Sequence, residues 1–264
     1  LAALLLTTTV PLVYLAWNSL HRLDLGMPWL SGFAGLDNYA KMGSDPRFWN
    51  SLLLTGIYTA STVVLQVMLG LALALLVLQI PKGQGMLRVA AILPIVLAPV
   101  VVGLFWRTLV LAPDFGLVDL VTRALGLGSH NWLGDPNTVM ACLAVMTVWK
   151  EAGFFMIFYL AALQSMSPNL AEAAAIEGAS RWYFFRRVTF PLLMPTTLFV
   201  LVNAIINAFR LVDHIVVMTR GGPDNATSLL LYYVYEVGFR FWDTAYAAAL
   251  TVVLLAVLAL AALA

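Results

Sequence analysis

Long apolar stretches separated by polar loops dominate the chain. Six of them approach or exceed the roughly 20 residues that a helix needs to cross a hydrocarbon core of about 30 Å. They cover residues 1–20, 52–78, 89–111, 139–163, 190–218 and a last stretch from Ala245 onward. The pattern predicts an all-α membrane protein with about six transmembrane helices, which form a single membrane domain over residues 1–264.

Composition leads to the same class. Hydrophobic residues make up 62% of the chain and charged residues 10%, and the mean hydropathy is +0.93. A soluble domain has about 45–50% apolar and about 25% charged residues, so the excess apolar surface must face lipid. The formal net charge of +1, without a basic cluster, argues against a nucleic-acid partner. The first residue is not methionine and the last lies in an apolar run, so we expect the natural protein to extend at both ends.

Charge divides the loops into two kinds. Those after the first, third and fifth stretches are long and acidic, with Asp24, Asp37, Asp45, Asp114, Asp119, Asp135, Asp224, Glu236 and Asp243. The two others hold Lys82, Arg88, Arg181, Arg186 and Arg187. Total Lys and Arg counts do not discriminate, but their density favours the two short loops as cytoplasmic. Both chain ends and the loop at 165–191 are then predicted to be cytoplasmic.

The loop at 165–191 has strong local signals. Ser167 followed by Pro168 is typical of a helix start, with a hydroxyl cap and proline at the first helical position. Residues 170–177 favour a helix, and Gly178 fits its C-terminal stop because glycine adopts left-handed backbone angles without strain. Ser180 can cap a second helix that continues into the fifth stretch. The small side chains of the first helix would let another protein approach its backbone closely.

The same loop contains a spaced pattern. It reads Glu172-Ala173-Ala174, then Gly178, Val188 and Phe190-Pro191. This resembles the cytoplasmic loop of bacterial binding-protein-dependent ABC-importer permeases, which is E-A-A, three residues, G, nine residues, I, one residue, L-P. Val188 and Phe190 are conservative departures from Ile and Leu. The alternative interpretation is a generic alanine-rich connector.

The resemblance extends along essentially the whole chain. It includes Leu93-Pro94, Trp149-Lys150 and Gly221-Gly222-Pro223, and is closest to permeases that import sugars and sn-glycerol 3-phosphate, in the A-type subunit. It implies the type I ABC-importer permease architecture and a place in the bacterial inner membrane. The implied partners are a second homologous permease, two copies of an ABC ATPase and an extracytoplasmic solute-binding protein. It further implies that Glu172, Ala173, Ala174, Gly178 and Pro191 couple the chain to the ATPase.

Charged residues inside apolar stretches are costly and therefore suggest function. Adjacent helical residues point about 100° apart, so Lys150 and Glu151 are expected to face different partners. A second set is spaced i, i+4, i+7 and i+11 on one predicted helix face, with Asp213 placed to pair with Arg210: it comprises Asn203, Asn207, Arg210 and His214. Two interpretations stay open: a translocation path for a hydroxyl-rich or anionic solute, with Arg210 binding its anionic group, or interhelical bonds between two permeases.

Some motifs are missing. No G-x-x-x-x-G-K-[ST] phosphate-binding loop occurs, so we expect ATP and Mg²⁺ to bind a partner ATPase and this chain to bind no cofactor or metal. No catalytic constellation appears either, which argues against a membrane-embedded enzyme. An ion-gradient-driven secondary carrier is the main alternative, although it predicts internal repeats that are not evident. The sequence does not identify the transported solute.

Overall fold

Helices form most of the computed structural model, which describes residues 2–23, 31–80 and 82–263, with backbone alone at 2–5 and 262–263. Asp24 of the first predicted acidic loop lies outside these residues. The helices are α1 Ala2–Ser19, α2 Asp37–Ser44, α3 Pro46–Gln79, α4 Gln84–Val96, α5 Pro99–Phe105, α6 Leu117–Ala124, α7 Pro136–Gln164, α8 Pro168–Ile176, α9 Arg181–Phe184, α10 Phe190–Phe209, α11 Asp213–Met218, α12 Leu230–Tyr235 and α13 Thr244–Leu263.

Three π-helical turns and one small β-ribbon complete the described structure. The turns Trp106–Val110, Phe185–Thr189 and Glu236–Arg240 follow α5, α9 and α12 directly. Strands β1 His21–Arg22 and β2 Gly32–Phe33 pair antiparallel, with His21 opposite Phe33. The ribbon joins the end of α1 to the segment that leads into α2.

Four helical segments in the described residues are long and apolar enough to cross a membrane: Pro46–Gln79, Pro136–Gln164, Arg181–Phe209 and Thr244–Ala261. A bent pair, Gln84–Val96 with Pro99–Val110, gives a fifth. The first predicted span coincides with α1, which is not among these segments. The described part of the chain therefore holds four or five such spans, against about six predicted.

The third predicted span, 89–111, is not one helix. Its two halves, α4 and α5, meet at 101°, and the backbone of Leu97 and Ala98 between them is extended. Proline disfavours helical angles in the residue before it, and Pro99 occupies the first turn of the second helix, where its missing N–H is not needed. Pro94, by contrast, stays inside α4 as expected. The prediction of a continuous span was wrong at Pro99.

The fifth predicted span, 190–218, also breaks. Helix α10 ends at Phe209, and Arg210 has the non-helical angles of a C-cap residue, φ −88° and ψ 0°. A separate short helix, α11, begins at Asp213 and packs against α5. Leu211 and Val212 in the turn are themselves apolar and the apolar stretch resumes at Ile215, so the pattern predicts a single span that includes the turn.

The largest helix–helix contact is between α3 and α7, and glycines permit close approach there. A Cβ on Gly70 of α3 would lie 3.0 Å from the Cβ of Phe155 on α7. On α7 itself, a Cβ on Gly153 would lie 1.8 Å from the carbonyl oxygen of Ala91 on α4. Small residues let membrane helices pack backbone to backbone, so Gly153 fixes how closely α4 sits on α7.

Hydrogen bonds between distant segments define one end of the bundle. Asn38 donates to the carbonyl of Ser19 at 2.8 Å, and the hydroxyls of Tyr233 and Tyr246 donate to Asp45 at 2.5 and 2.6 Å. The end of α1 and the starts of α3 and α13 therefore lie together. We call this the outer end, and the opposite end, which carries α8 and α9, the inner end.

Candidate functional site

The loop at the inner end has the predicted helix–glycine–helix form. Helix α8 ends with Glu177 as its C-cap residue, and Gly178 has a left-handed φ of 73°. The N–H of Gly178 donates to the carbonyl of Ala175, and the N–H of Ala179 to that of Ala174. These two bonds form a Schellman motif. Because the motif needs a positive φ at its turn residue, Gly178 sets the angle at which the chain leaves α8.

The two predicted caps differ in outcome. The Ser180 Oγ accepts a 3.2 Å bond from the N–H of Tyr183, so it caps α9 as predicted. Ser167 occupies the N-cap position of α8, but its side chain makes no capping bond. Pro168 at the first turn and the short extended segment before it are sufficient to start that helix. Helix α9 then continues through a π-helical turn into α10, where Pro191 lies in the first turn.

The loop presents apolar side chains outward. No residue of α8 is buried, and Ile176 at its end is 88% exposed while Trp182 on α9 is 69% exposed. Glu172 is exposed, and among the described residues its carboxylate has no hydrogen-bond or ion-pair partner. An exposed helix with a large apolar residue and an unpaired carboxylate suits contact with another protein.

The polar set on α10 is only partly brought together. Asn203 and Asn207 lie one turn apart on the same helix, and Asn203 donates to the carbonyl of Phe199 in its own helix at 2.8 Å. Arg210 is exposed at the helix end, while Asp213 is exposed at the start of α11. The predicted continuous stripe from Asn203 to His214 was wrong because α10 stops at Phe209. No ion pair joins Arg210 to Asp213 among the described residues.

Lys150 and Glu151 pair with each other. The Lys150 Nζ lies 3.0 Å from the Glu151 Oε1, and the two side chains are 8% and 14% exposed. The expectation of separate partners was wrong because both side chains are long and flexible enough to curl together although their Cα–Cβ bonds diverge. A charge this well shielded from water is retained only when paired.

Further polar groups lie close to this ion pair. Tyr58 on α3 is fully buried and donates a 2.7 Å bond to Thr147, which lies one turn before Lys150 and Glu151 on α7. His214 on α11 is 4% exposed, and among the described residues neither ring nitrogen has a hydrogen-bond partner. The i, i+3, i+4 spacing of Thr147, Lys150 and Glu151 was the sequence signal that could have identified this polar face of α7.

Ion pairs hold the outer end in shape. Arg47 contacts Glu236 at 2.8 Å, Glu236 also contacts Arg240 at 2.7 Å, and Lys41 contacts Asp243 at 2.8 Å. Several residues that the sequence marks only as acidic-loop residues therefore have structural partners. Burial alone would raise the pKa of Asp45, but the hydroxyls of Tyr233 and Tyr246 stabilise the carboxylate and hold that pKa below its ordinary value.

Asp119 organises the outer loop between α5 and α7. Its side chain is fully buried and accepts 2.9 Å bonds from the N–H groups of Asp114 and His130. The Arg123 Nε lies 3.0 Å from the same carboxylate. The bond from His130 is the main reason that the pKa of Asp119 falls below its ordinary value. Nothing in the sequence distinguishes this carboxylate from those of Asp114 and Asp135 in the same loop.

Comparison with known proteins gives concordant results. A family model described as "Binding-protein-dependent transport system inner membrane component" matches residues 42–264. The trehalose/maltose transport system permease protein MalF of Thermococcus litoralis is 34% identical over 241 residues, which cover 90% of this chain and 81% of that protein. The sn-glycerol-3-phosphate transport system permease protein UgpA of Agrobacterium fabrum is 35% identical over 228 residues, covering 86% and 77%.

A solved structure shares the fold. A chain of the bacterial alginate ABC transporter, crystallised in complex with an alginate pentasaccharide-bound periplasmic protein, superposes with a TM-score of 0.83 at 22% sequence identity. The match covers 99% of this chain and 91% of that one. The fold is therefore that of a type I importer permease.

Proposed function

The chain belongs to the family of binding-protein-dependent transport system inner membrane components, and on that premise we propose that its residues 172–191 couple it to separate ATPase subunits. It is a multi-pass permease subunit of an ABC importer in the inner membrane. The observation that carries the coupling proposal is α8 itself. It is a helix with no buried residue that carries Glu172, Ala173 and Ala174 and ends in a Schellman motif at Gly178.

Coupling needs a rigid link between α8 and the membrane helices. Helix α9 continues through its π-helical turn into α10 without a break, and Pro191 stiffens the start of that span. A displacement of α8 by a partner would therefore be transmitted through the turn at Gly178, then through α9 and the π-helical turn, to α10. We propose two copies of an ABC ATPase, one for this chain and one for a second homologous permease, with ATP and Mg²⁺ bound to the ATPase and this chain itself non-catalytic.

The proposed translocation path lies along α10 and the neighbouring polar face of α7. Its candidate residues remain Asn203, Asn207, Arg210 and Asp213. Of these, Asp213 belongs to a separate helix, α11. The shielded ion pair of Lys150 and Glu151 adds charged groups about midway along α7. Amide, hydroxyl and charged groups in a span suit a solute rich in hydroxyl groups.

The proposed cargo is a sugar, sn-glycerol 3-phosphate or a related polar glycoside. Relatives that share about a third of their residues with this chain are named for trehalose and maltose and for sn-glycerol 3-phosphate. The transporter of similar fold was crystallised with a periplasmic protein that holds an alginate pentasaccharide. We propose that an extracytoplasmic binding protein likewise delivers solute to the outer end of this chain.

The coupling proposal is tested in the whole importer reconstituted in liposomes. Glu172→Ala should remove one polar contact of α8 with the ATPase without dissociating it, and Gly178→Ala should strain the left-handed turn by about 1 kcal/mol or more and misdirect α8. We expect both variants to reduce ATP-driven uptake at least tenfold while the complex still forms. Uptake of radiolabelled solute and phosphate release, measured on the same vesicles, report the two activities.

Two matched controls keep the test specific. Glu177→Ala removes the other carboxylate of the same loop, and Gly85→Ala adds a Cβ at a glycine where it meets nothing within 4 Å. Both should transport normally. Normal uptake in Glu172→Ala and Gly178→Ala, or ATP-independent uptake driven by an ion gradient, would contradict the coupling role.

A further inference from the structure

A cavity of about 570 Å³ opens at the outer end of the bundle. It lies between the π-helical turn after α5, the loop that precedes α7 and the segment that follows α11. Its lining includes Arg107, Thr108, Phe115, Asn131, Met218 and Pro223. Small-molecule sites in proteins have volumes of about 300–1,000 Å³, so the space suits a monosaccharide or a small glycoside.

Arg107 brings an uncompensated positive charge to this cavity. Its Nη1 donates a 2.9 Å bond to the backbone carbonyl of Val217, and no carboxylate of the described residues lies within 4.0 Å of it. Elsewhere at the outer end, by contrast, Lys41, Arg47 and Arg123 each contact a carboxylate. A guanidinium held by one carbonyl keeps most of its donors for a ligand, in the planar arrangement that fits phosphate or carboxylate.

The rest of the lining combines polar and apolar groups. The Asn131 Oδ1 accepts the N–H of Gly134, which orients the side-chain amide and leaves its Nδ2 without a described partner. The Thr108 hydroxyl donates to the carbonyl of Leu104, so its oxygen is available as an acceptor. The ring of Phe115 is exposed, while Met218 is buried and forms an apolar wall. A sugar ring could place its hydroxyl groups against these polar atoms and its C–H groups against this apolar wall.

We propose that this cavity is an outer binding site for a hydroxyl-rich solute that carries one anionic group, with Arg107 binding that group. Phosphate esters of polyols and uronic acids share this chemistry. The proposal rests on the proposed import function and narrows it, because it places anion recognition in the permease, separate from the polar groups on α7 and α10. Solute released at the outer end would be held by its charge before it moves inward.

Calorimetric titration of the full chain in lipid nanodiscs, without ATP, tests the proposal. The probes are sn-glycerol 3-phosphate, glucuronate, glycerol and inorganic phosphate. We expect the first two to bind at least tenfold more tightly than the last two, since only they offer both the anion and the hydroxyl groups. Arg107→Gln should weaken binding of both about tenfold, equivalent to about 1.4 kcal/mol, and Phe115→Ala should weaken it several-fold.

The control variant is Arg22→Gln, which removes a positive charge from the β-ribbon at the same end of the molecule and should leave binding unchanged. Thermal unfolding verifies that each variant is folded; where Arg107→Gln is not, Phe115→Ala carries the test. Wild-type affinity in the folded Arg107→Gln or Phe115→Ala variant overturns the proposal, as does equal affinity for inorganic phosphate or for glycerol. Because ATP is absent, such a result leaves the coupling role of Glu172 and Gly178 to its own uptake experiment.

Discussion

Lys150 and Glu151 show how much a single contact matters inside a membrane helix. An unpaired charge at the middle of a span costs about 2.5–3.5 kcal/mol on insertion scales, and the 3.0 Å contact between the two side chains offsets part of it. Their charge within an apolar stretch identified both residues as unusual. The sequence could not predict their pairing. Helical geometry determines the direction of each Cα–Cβ bond, but not the position of the charged group at the end of a long, flexible side chain.

Removing one member of this pair should be worse than removing both. Lys150→Met leaves the Glu151 carboxylate shielded without its cation, and breaking a buried pair costs about 3–5 kcal/mol. We expect the double variant Lys150→Met/Glu151→Gln to recover much of that stability. Thermal unfolding of the chain in detergent measures the effect, with Lys82→Met, an exposed loop lysine, as the control. Equal stability of Lys150→Met and Lys82→Met would show that the ion pair contributes nothing.

At the scale of elements, the sequence predicted features that depend on neighbouring residues, but not those that depend on contacts between distant segments. The helix at 168–176, the turn at Gly178 and the cap at Ser180 follow from residues next to one another in sequence, and all three are present. The end of α10 at Phe209 could not be predicted in the same way. The chain turns there because α11 packs against α5, a contact between segments about 110 residues apart along the chain.

The outer loop that contains α6 should depend on the ionisation of Asp119. Its pKa lies below the ordinary value of 3.8, first because of the N–H of His130. A lowered pKa in the folded state means that the carboxylate stabilises the fold above the ordinary pKa and that this contribution is lost as pH falls through the lower, folded value. We expect the unfolding temperature of the wild type to fall below about pH 4.

Asp119→Asn isolates this contribution. The variant should be less stable than the wild type at pH 7, and the difference between them should shrink as the pH is lowered through the acidic range. Scanning calorimetry of both chains between pH 7 and pH 3 measures it, with Asp37→Asn, whose exposed carboxylate has no described partner, as the control. A constant difference across this range would show that the charge of Asp119 is not what stabilises the loop.

At the scale of the whole molecule, the arrangement of the helix ends determines which loops lie on the same side of the membrane. The outer end gathers the end of α1 and the starts of α3 and α13, and α8 with α9 lies at the other end. Charge density in the loops predicts which end faces the cytoplasm. Contacts within the chain are the same in either orientation, so they do not test this prediction. Identifying the side therefore needs a measurement in cells.

Cysteine labelling in intact cells supplies that measurement. The single native cysteine, Cys142, is buried and should react little. We expect a membrane-impermeant maleimide to label Asp224→Cys, an exposed position at the outer end, and to label Ala175→Cys, exposed on α8, only after the membrane is permeabilised. Labelling of Ala175→Cys in intact cells would reverse the orientation and remove α8 from contact with a cytoplasmic ATPase.

The 101° bend between α4 and α5 has a consequence for how the chain is made. Helix α4 has 13 residues, about 20 Å at 1.5 Å per residue, which is too short to cross the bilayer alone. Its main packing partner is α7 and that of α5 is α11, and the ribosome synthesises both of these later. A chain stopped at residue 130 should thus leave Val102→Cys on α5 open to aqueous maleimide, whereas the complete chain, in which Val102 is 1% exposed, should shield it. The third crossing becomes secure only near the end of synthesis, when α11 emerges.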